Sequence, residues 1–339
     1  KSDSGDQLAV PPELAEKLRA SYYALGALLG RYGRAVTTLP GGCKIGNRPI
    51  DLHLKGFKAL GAKVNREEEL IEITADQLRG AEIYLDYPSV GATMNLMMAA
   101  SLAEGKTVIE NAAKEPEIVD LANYLSVMGA QIKGAGTDVI RIEGVEELTG
   151  REYTIIPDRI ETGTYILAAA ITNSNLYIDN VLVEHVHSLL AKLREMGVEF
   201  EEDVTGVEVI PAPQLEAVNI KTLPYPGFAT DLQPQFITLL TQAKGEAKVV
   251  ETVFEDRFGH VEELKKMGAD IEVNDNQAVV KPSQLTGQEV TASDLRAGAA
   301  LILAGLVAGG KTKINEIYHV KRGYENIVEK LTAVGAKIK

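Results

Sequence analysis

The stretch Met128-Gly129-Ala130 decides the fold, because it ends a predicted helix and recurs at nearly regular intervals along the chain. The other copies are Leu60-Gly61-Ala62, Met196-Gly197-Val198, Met267-Gly268-Ala269 and Val334-Gly335-Ala336. Successive glycines are 68, 68, 71 and 67 residues apart. Each glycine follows an amphipathic segment and leads into a short strand, which is typical of a left-handed helix cap. A nearly constant period of this length predicts a repeated structural unit.

Each interval between these glycines contains a second, more apolar helix that leads through a turn into another strand. These helices are predicted to begin near Val90, Ile160, Asp231 and Leu295, and a fifth spans about Pro12–Arg31. One repeat is therefore predicted to run helix, strand, helix, strand, strand. Its alternating strands suit small sheets with one buried face. The predicted fold class is α/β with several small sheets, in a chain that opens midway through a repeat.

Composition and charge limit the classes of function. The chain has 339 residues, which suggests two domains, and a net charge of −13 from 35 basic and 48 acidic residues. Such acidity argues against nucleic-acid or membrane partners, because polyanionic surfaces attract basic patches. Small anionic substrates still fit if the few arginines gather in one cleft. The single cysteine excludes an intramolecular disulfide and favours a cytoplasmic location.

Two local patterns suggest chemistry that their context does not support. Residues Gly305 to Thr312 match the phosphate-loop pattern GxxxxGK[ST], but that loop works only between a strand and a following helix. Here a helix is predicted before it and a strand after it, so the segment is interpreted as a turn. His185 and His187 lack a nearby third ligand, and no metal site is predicted.

The candidate chemical residues begin with Cys43. It lies in a loop that has three glycines and two prolines within residues 40–50, close to Lys44 and Arg48. Positive neighbours lower the pKa of a thiol and make it reactive, and this interpretation is favoured over a small buried apolar residue. For Asp231 at a predicted helix start, the residues alone favour a helix cap over a catalytic carboxylate.

The resemblance to a known family covers nearly the whole chain. The sequence closely resembles the UDP-N-acetylglucosamine enolpyruvyl transferases of bacterial peptidoglycan synthesis. The matching segments are residues 19–21, 40–62, 89–93, 110–118, 157–163, 230–233, 251–258, 294–296 and 322–325.

The resemblance implies a fold of two similar domains, each built from three repeats as an inside-out α/β barrel, with the active site in the cleft between them. The first domain is expected over residues 1–156, carrying the Cys43 loop and incomplete at its N-terminus, and the second over residues 157–339. The implied reaction transfers the enolpyruvyl group of phosphoenolpyruvate to the 3′-hydroxyl of UDP-N-acetylglucosamine and releases phosphate. It needs no metal or other cofactor. An enolpyruvylshikimate phosphate synthase type of transferase, or a homologue that binds the UDP-sugar without turnover, remains an alternative.

The resemblance also implies roles for individual residues. Cys43 is the expected general acid and the site of alkylation by fosfomycin, and Asp231 is the expected base. Residues that would bind the two substrates are Arg19, Arg48, Pro49, Ile50, Asp51, Leu52, Ser89, Val90, Gly91, Val253, Arg257, Arg296 and Arg322. Each arginine could instead be a solvated surface charge, and Ser89 could simply begin a helix.

Overall fold

The computed structural model describes residues 10, 15, 19–38, 45–46 and 49–339, and these form two compact units. The first unit ends at Ile156 and the second begins at Pro157. Residues 45–46, in the loop expected to belong to the first domain, group with the second unit instead. The Ile45 oxygen accepts a hydrogen bond of 3.2 Å from the backbone N–H of Asp256. Cys43 and Arg48 lie outside the described residues.

The described part of the first unit contains a 3-10 helix at Arg19–Tyr23 and two small sheets. Its α-helices are α1 (Ala24–Tyr32), α2 (Asp51–Ala59), α3 (Val90–Ala100) and α4 (Pro116–Val127). Its strands are β1 (Arg34–Thr38), β2 (Lys63–Glu67), β3 (Leu70–Thr74), β4 (Glu82–Tyr84), β5 (Lys106–Glu110), β6 (Gln131–Lys133) and β7 (Val139–Glu143). The sheet orders are β1-β3-β2 and β4-β5-β7-β6, and only the β4–β5 pair is parallel.

The described part of the second unit contains 3-10 helices at Val183–Val186 and Thr230–Leu232, and three sheets. Its α-helices are α5 (Arg159–Ile171), α6 (His187–Glu195), α7 (Gln233–Leu240), α8 (Val261–Lys266), α9 (Leu295–Val307), α10 (Tyr318–Lys321) and α11 (Ile327–Ala333). Its strands are β8 (Leu176–Asp179), β9 (Glu199–Glu202), β10 (Gly206–Ile210), β11 (Ile220–Lys221), β12 (Ala247–Val250), β13 (Asp270–Asn274), β14 (Gln277–Lys281), β15 (Glu289–Thr291) and β16 (Lys313–Asn315). The sheet orders are β8-β10-β9, β11-β12-β14-β13 and β15-β16.

The predicted order of helix, strand, helix, strand, strand is found in four repeats, and in two of them a further strand, β4 or β11, precedes the first helix. The order is seen as α1-β1-α2-β2-β3, α3-β5-α4-β6-β7, α5-β8-α6-β9-β10 and α7-β12-α8-β13-β14. The five punctuating glycines all have left-handed φ values, between 91° and 115°. At Gly129 the N–H donates to the Ser126 oxygen and the next N–H donates to the Leu125 oxygen, the hydrogen-bond pair of a Schellman motif. The other four glycines repeat this pair.

Two of the predicted helices differ in detail from the prediction. Of the helix expected over about Pro12–Arg31, Ala15 is α-helical, Arg19–Tyr23 is a 3-10 helix and α1 follows. The helix expected to begin at Asp231 begins two residues later, after a 3-10 turn, because Pro234 fixes the first turn of α7. The phosphate-loop match lies between α9 and β16, with the helix first, as the turn interpretation requires.

Each unit has its own hydrophobic core. The first core extends from Tyr22 to Ile142 in the sequence, and the second from Ile160 to Leu331. The apolar helices lie at the centre of these cores: every residue of α7 is buried, and α5, α7 and α9 pack against one another. No helix within the described ranges has the length and apolar character that a membrane crossing requires.

The contact between α1 and α3 depends on Gly26. Its N–H donates a hydrogen bond of 2.7 Å to Asn95 Oδ1, and a Cβ there would overlap the Asn95 backbone oxygen. We expect Gly26→Ala to lower the free energy of unfolding by about 2 to 3 kcal/mol, because the helices must separate. Thermal unfolding measures the change. Gly150→Ala, whose Cβ meets nothing within 4 Å, is the control and should stay within about 0.5 kcal/mol of the parent. Equal stability of the two variants would contradict the tight helix contact.

Candidate active site

The carboxylate of Asp231 lies between two guanidinium groups of the second unit. Arg257 Nη2 donates to Asp231 Oδ1 at 2.5 Å, and Arg296 Nη2 donates to Oδ2 at 3.4 Å. The three residues come from the 3-10 turn before α7, the loop after β12 and the first turn of α9. No side chain caps α7, so the capping interpretation of Asp231 is wrong. Its partners are instead cations that are distant in sequence.

The two arginines determine the charge of Asp231. Burial raises the pKa of Asp231, but the guanidinium groups of Arg296 and Arg257 outweigh burial and lower this pKa to about 2. The carboxylate is therefore ionised at neutral pH. Its side chain is 39% exposed, whereas that of Arg257 is only 3% exposed. The buried guanidinium thus holds an anion that other molecules can reach.

Arg296 also contacts a buried network of polar side chains. Arg296 Nη1 donates to the Tyr324 hydroxyl at 3.0 Å, and that hydroxyl lies 2.9 Å from Thr164 Oγ1. Gln235 Nε2 donates to both hydroxyl oxygens at 3.3 Å. Tyr324 thus holds the Nη1 group of Arg296 while Asp231 accepts from its Nη2 group, which limits the freedom of the guanidinium to rotate. Arg322 is exposed at the end of α10, two residues before this tyrosine.

In the first unit, α3 begins at a serine-capped terminus. Ser89 caps the helix, since its Oγ accepts a hydrogen bond of 3.3 Å from the Ala92 N–H. A Cβ at Gly91 would collide with the Tyr22 hydroxyl and lie 3.1 Å from His53 Nε2. Glycine is therefore required where the 3-10 helix and α2 approach this terminus. The structural interpretation of Ser89 is confirmed, and its role in binding stays a prediction.

His53 connects the three segments of the first unit in which substrate-binding residues were predicted. Its Nδ1 lies 3.0 Å from Asn95 Nδ2, and the amide orientation is fixed because Asn95 Oδ1 accepts from Gly26. Nδ1 is thus an acceptor, and the ring proton of neutral His53 lies on Nε2, the nitrogen near Gly91. Burial and the guanidinium of Arg19 lower the pKa of His53 to about 3, so the ring is neutral at pH 7.

Known proteins share this arrangement of elements. The family model described as EPSP synthase (3-phosphoshikimate 1-carboxyvinyltransferase) matches residues 1–331. The chain belongs to this family. The predicted transferase class is thereby confirmed, together with the α/β fold that is shared with solved members.

Relatives within the family have more specific names than the family model. The chain is 65% identical to the UDP-N-acetylglucosamine 1-carboxyvinyltransferase of Halothermothrix orenii, over 97% of this chain and 79% of that protein. It is 58% identical to UDP-N-acetylglucosamine 1-carboxyvinyltransferase 1 of Caldanaerobacter subterraneus subsp. tengcongensis, with the same coverage. A crystal structure of the enolpyruvyl transferase NikO from Streptomyces tendae superposes with a TM-score of 0.88 at 28% identity, over 98% of this chain and 80% of that one. The resemblance predicted from the motifs is confirmed.

Against this family background, the predicted site residues form two groups. The second unit brings Arg257 and Arg296 onto Asp231, and Val253 lies in the same loop as Arg257. The first unit brings Arg19 onto the ring of Tyr22, at 5.3 Å from the ring centroid. The remaining described residues of that group lie at the starts of two helices: Pro49, Ile50, Asp51 and Leu52 at α2, and Ser89, Val90 and Gly91 at α3.

Sequence analysis missed three residues that organise these groups. His53 and Tyr324 lie inside motifs that carry the family resemblance, yet neither was given a role. Glu251 begins the segment that contains Val253 and Arg257, and it is 1% exposed. A carboxylate at the start of a loop gives no signal of burial in the sequence. The only sequence signal for these three residues is that each lies close to residues with an expected role in substrate binding.

Proposed function

We propose that the protein transfers the enolpyruvyl group of phosphoenolpyruvate to the 3′-hydroxyl of UDP-N-acetylglucosamine, with release of phosphate. The names of its relatives at 65% and 58% identity support this reaction. The observation that carries the proposal is the Asp231 carboxylate between two guanidinium groups. This reaction needs a base for a hydroxyl group and cations for a donor that carries a carboxylate and a phosphate.

The proposed reaction is an addition followed by an elimination. A general acid protonates the methylene carbon of phosphoenolpyruvate, which makes C2 electrophilic. The sugar oxygen bonds to C2 while its proton goes to a base, and a tetrahedral intermediate results. Loss of a proton from the new methyl group then expels phosphate with the electrons of its C–O bond. Guanidinium groups stabilise the charge on carboxylate and phosphate throughout.

Asp231 is the proposed base for the sugar hydroxyl, and its pairing explains how it would be activated. With a pKa near 2, the carboxylate is a weak base while both arginines face it. An anionic donor that binds Arg257 or Arg296 competes with Asp231 for the same guanidinium groups. The pKa of the released carboxylate then rises towards its ordinary range, so its basicity increases when the donor is bound.

Cys43 is the proposed general acid, and the proposal includes its alkylation by fosfomycin. A thiol with a pKa near neutrality can donate a proton and also, as thiolate, attack an epoxide. The cationic neighbour Lys44 in the sequence supports such a pKa. The same proposal places the reaction in the cytoplasm, in the synthesis of peptidoglycan precursors, with the two small molecules as partners.

Phosphate release tests the proposal. We expect inorganic phosphate to appear only when phosphoenolpyruvate and UDP-N-acetylglucosamine are both present, in a 1:1 ratio with the enolpyruvyl sugar nucleotide. The control replaces the sugar nucleotide with shikimate 3-phosphate, which should release none. Release with shikimate 3-phosphate would indicate the enolpyruvylshikimate phosphate synthase reaction. UDP-N-acetylglucosamine binding without phosphate release would indicate a binding protein.

A further inference from the structure

The Glu251 carboxylate accepts four hydrogen bonds. Its Oε1 accepts from Thr222 Oγ1 at 2.7 Å and from the backbone N–H groups of Val253 and Phe254 at 2.8 and 3.2 Å. Its Oε2 accepts from Thr230 Oγ1 at 3.0 Å. The side chain is almost completely buried, and no described lysine or arginine forms an ion pair with it. Both carboxyl oxygens of Glu251 therefore have hydroxyl or peptide N–H groups as hydrogen-bond donors.

Three of these four donors come from the two segments that carry the Asp231–Arg257 pair, and the fourth, Thr222, directly follows β11. Thr230 directly precedes Asp231, so its hydrogen bond to Glu251 Oε2 fixes the 3-10 turn that carries the Asp231 carboxylate. Val253 and Phe254 begin the loop that leads to Arg257, and the Phe254 ring lies 5.7 Å from that guanidinium carbon. The buried Glu251 side chain thus binds both of the segments that carry the ion pair.

We propose that Glu251 is a positioning residue that sets the distance and orientation between Asp231 and Arg257. It does not touch the reacting atoms and acts through its hydrogen bonds to Thr230 and Val253. This inference rests on the proposed function, since it concerns the base of that reaction. A displacement of about 1 Å between reacting groups can lower a rate by about 100-fold, so a small shift of the turn is sufficient to matter.

The test compares Glu251→Gln, Thr230→Val and Thr230→Ser. In Glu251→Gln one acceptor oxygen becomes a donor, and we expect kcat per UDP-N-acetylglucosamine-binding site to fall about 10- to 100-fold. Thr230→Val removes only the hydrogen bond between Glu251 and the Asp231 turn, and we expect it to lower kcat per site about 5- to 10-fold. Thr230→Ser keeps the hydroxyl, and its kcat per site should stay within about twofold of the parent value. Counting binding sites by equilibrium titration removes the contribution of unfolded protein.

The matched control is Asp203→Asn. Asp203 also accepts from two backbone N–H groups and from threonine and tyrosine hydroxyls, but it lies in the exposed turn between β9 and β10. Its substitution should affect stability alone and leave kcat per site unchanged. If Glu251→Gln and Thr230→Val also lower only the melting temperature, Glu251 is a structural residue and the inference fails. Absence of phosphate release in the parent protein would overturn the proposed function as well, which distinguishes the two failures.

Discussion

Replacing Asp231 with asparagine is expected to lower kcat for phosphate release by about 10²- to 10⁴-fold, the usual contribution of a positioned general base. Asparagine keeps the shape and an acceptor oxygen for Arg257, but it cannot take the proton of the sugar hydroxyl. The KM for UDP-N-acetylglucosamine should stay within about threefold, because the lost interaction belongs to the transition state. Steady-state kinetics with both substrates measure the two constants separately.

The control for this variant is Glu289→Gln. That exposed carboxylate also pairs with a cation, Lys313 at 2.7 Å, and its loss should leave both constants unchanged. A stability change is expected in Asp231→Asn as well, since a buried guanidinium loses its charged partner, so kcat is normalised to binding sites. If kcat per site is retained and only stability falls, Asp231 serves the fold and another group is the base.

Replacing Cys43 with serine is expected to abolish covalent labelling by fosfomycin and to lower kcat by about 10²- to 10⁴-fold. Serine is close in size, but its hydroxyl is neither a comparable acid nor a nucleophile for the epoxide at neutral pH. Intact-mass measurement detects the adduct. Because the sequence contains one cysteine, the parent protein should gain a single adduct and the variant none.

Binding of UDP-N-acetylglucosamine is the internal control for Cys43→Ser. The proposed acid acts on the donor, so the variant should still bind the sugar nucleotide with nearly the affinity of the parent protein. A variant that is labelled as before would place the reactive atom elsewhere. A variant that loses sugar-nucleotide binding would indicate that Cys43 serves the structure of its loop.

The repeat could be predicted from sequence because its signals are local. A glycine such as Gly129 must adopt a left-handed φ to close the helix before it, and the hydrogen bonds that follow join residues only a few positions apart. The turn interpretation of the phosphate-loop match is confirmed for the same reason. The order of helix and strand around Gly309 depends on neighbouring segments alone.

The partners of the site residues could not be predicted, because they come from distant segments. From its neighbours, Asp231 looks like a helix cap, yet its cations lie 26 and 65 residues away. Glu251 and Thr230 meet across 21 residues through a side-chain contact that leaves no pattern in the sequence. Only the family resemblance indicated a chemical role for Asp231, and nothing indicated one for Glu251.

The five Schellman motifs have a consequence for the order in which the chain folds. Each motif is completed within six consecutive residues, so a helix end can form before any long-range contact exists. The parallel pairs β4–β5, β11–β12 and β15–β16 join strands separated by a whole helix, and closing such long loops is slow. We therefore expect the helix ends of each repeat to form before the sheets assemble, with the glycines limiting how far a growing helix extends into the segment that must become a strand.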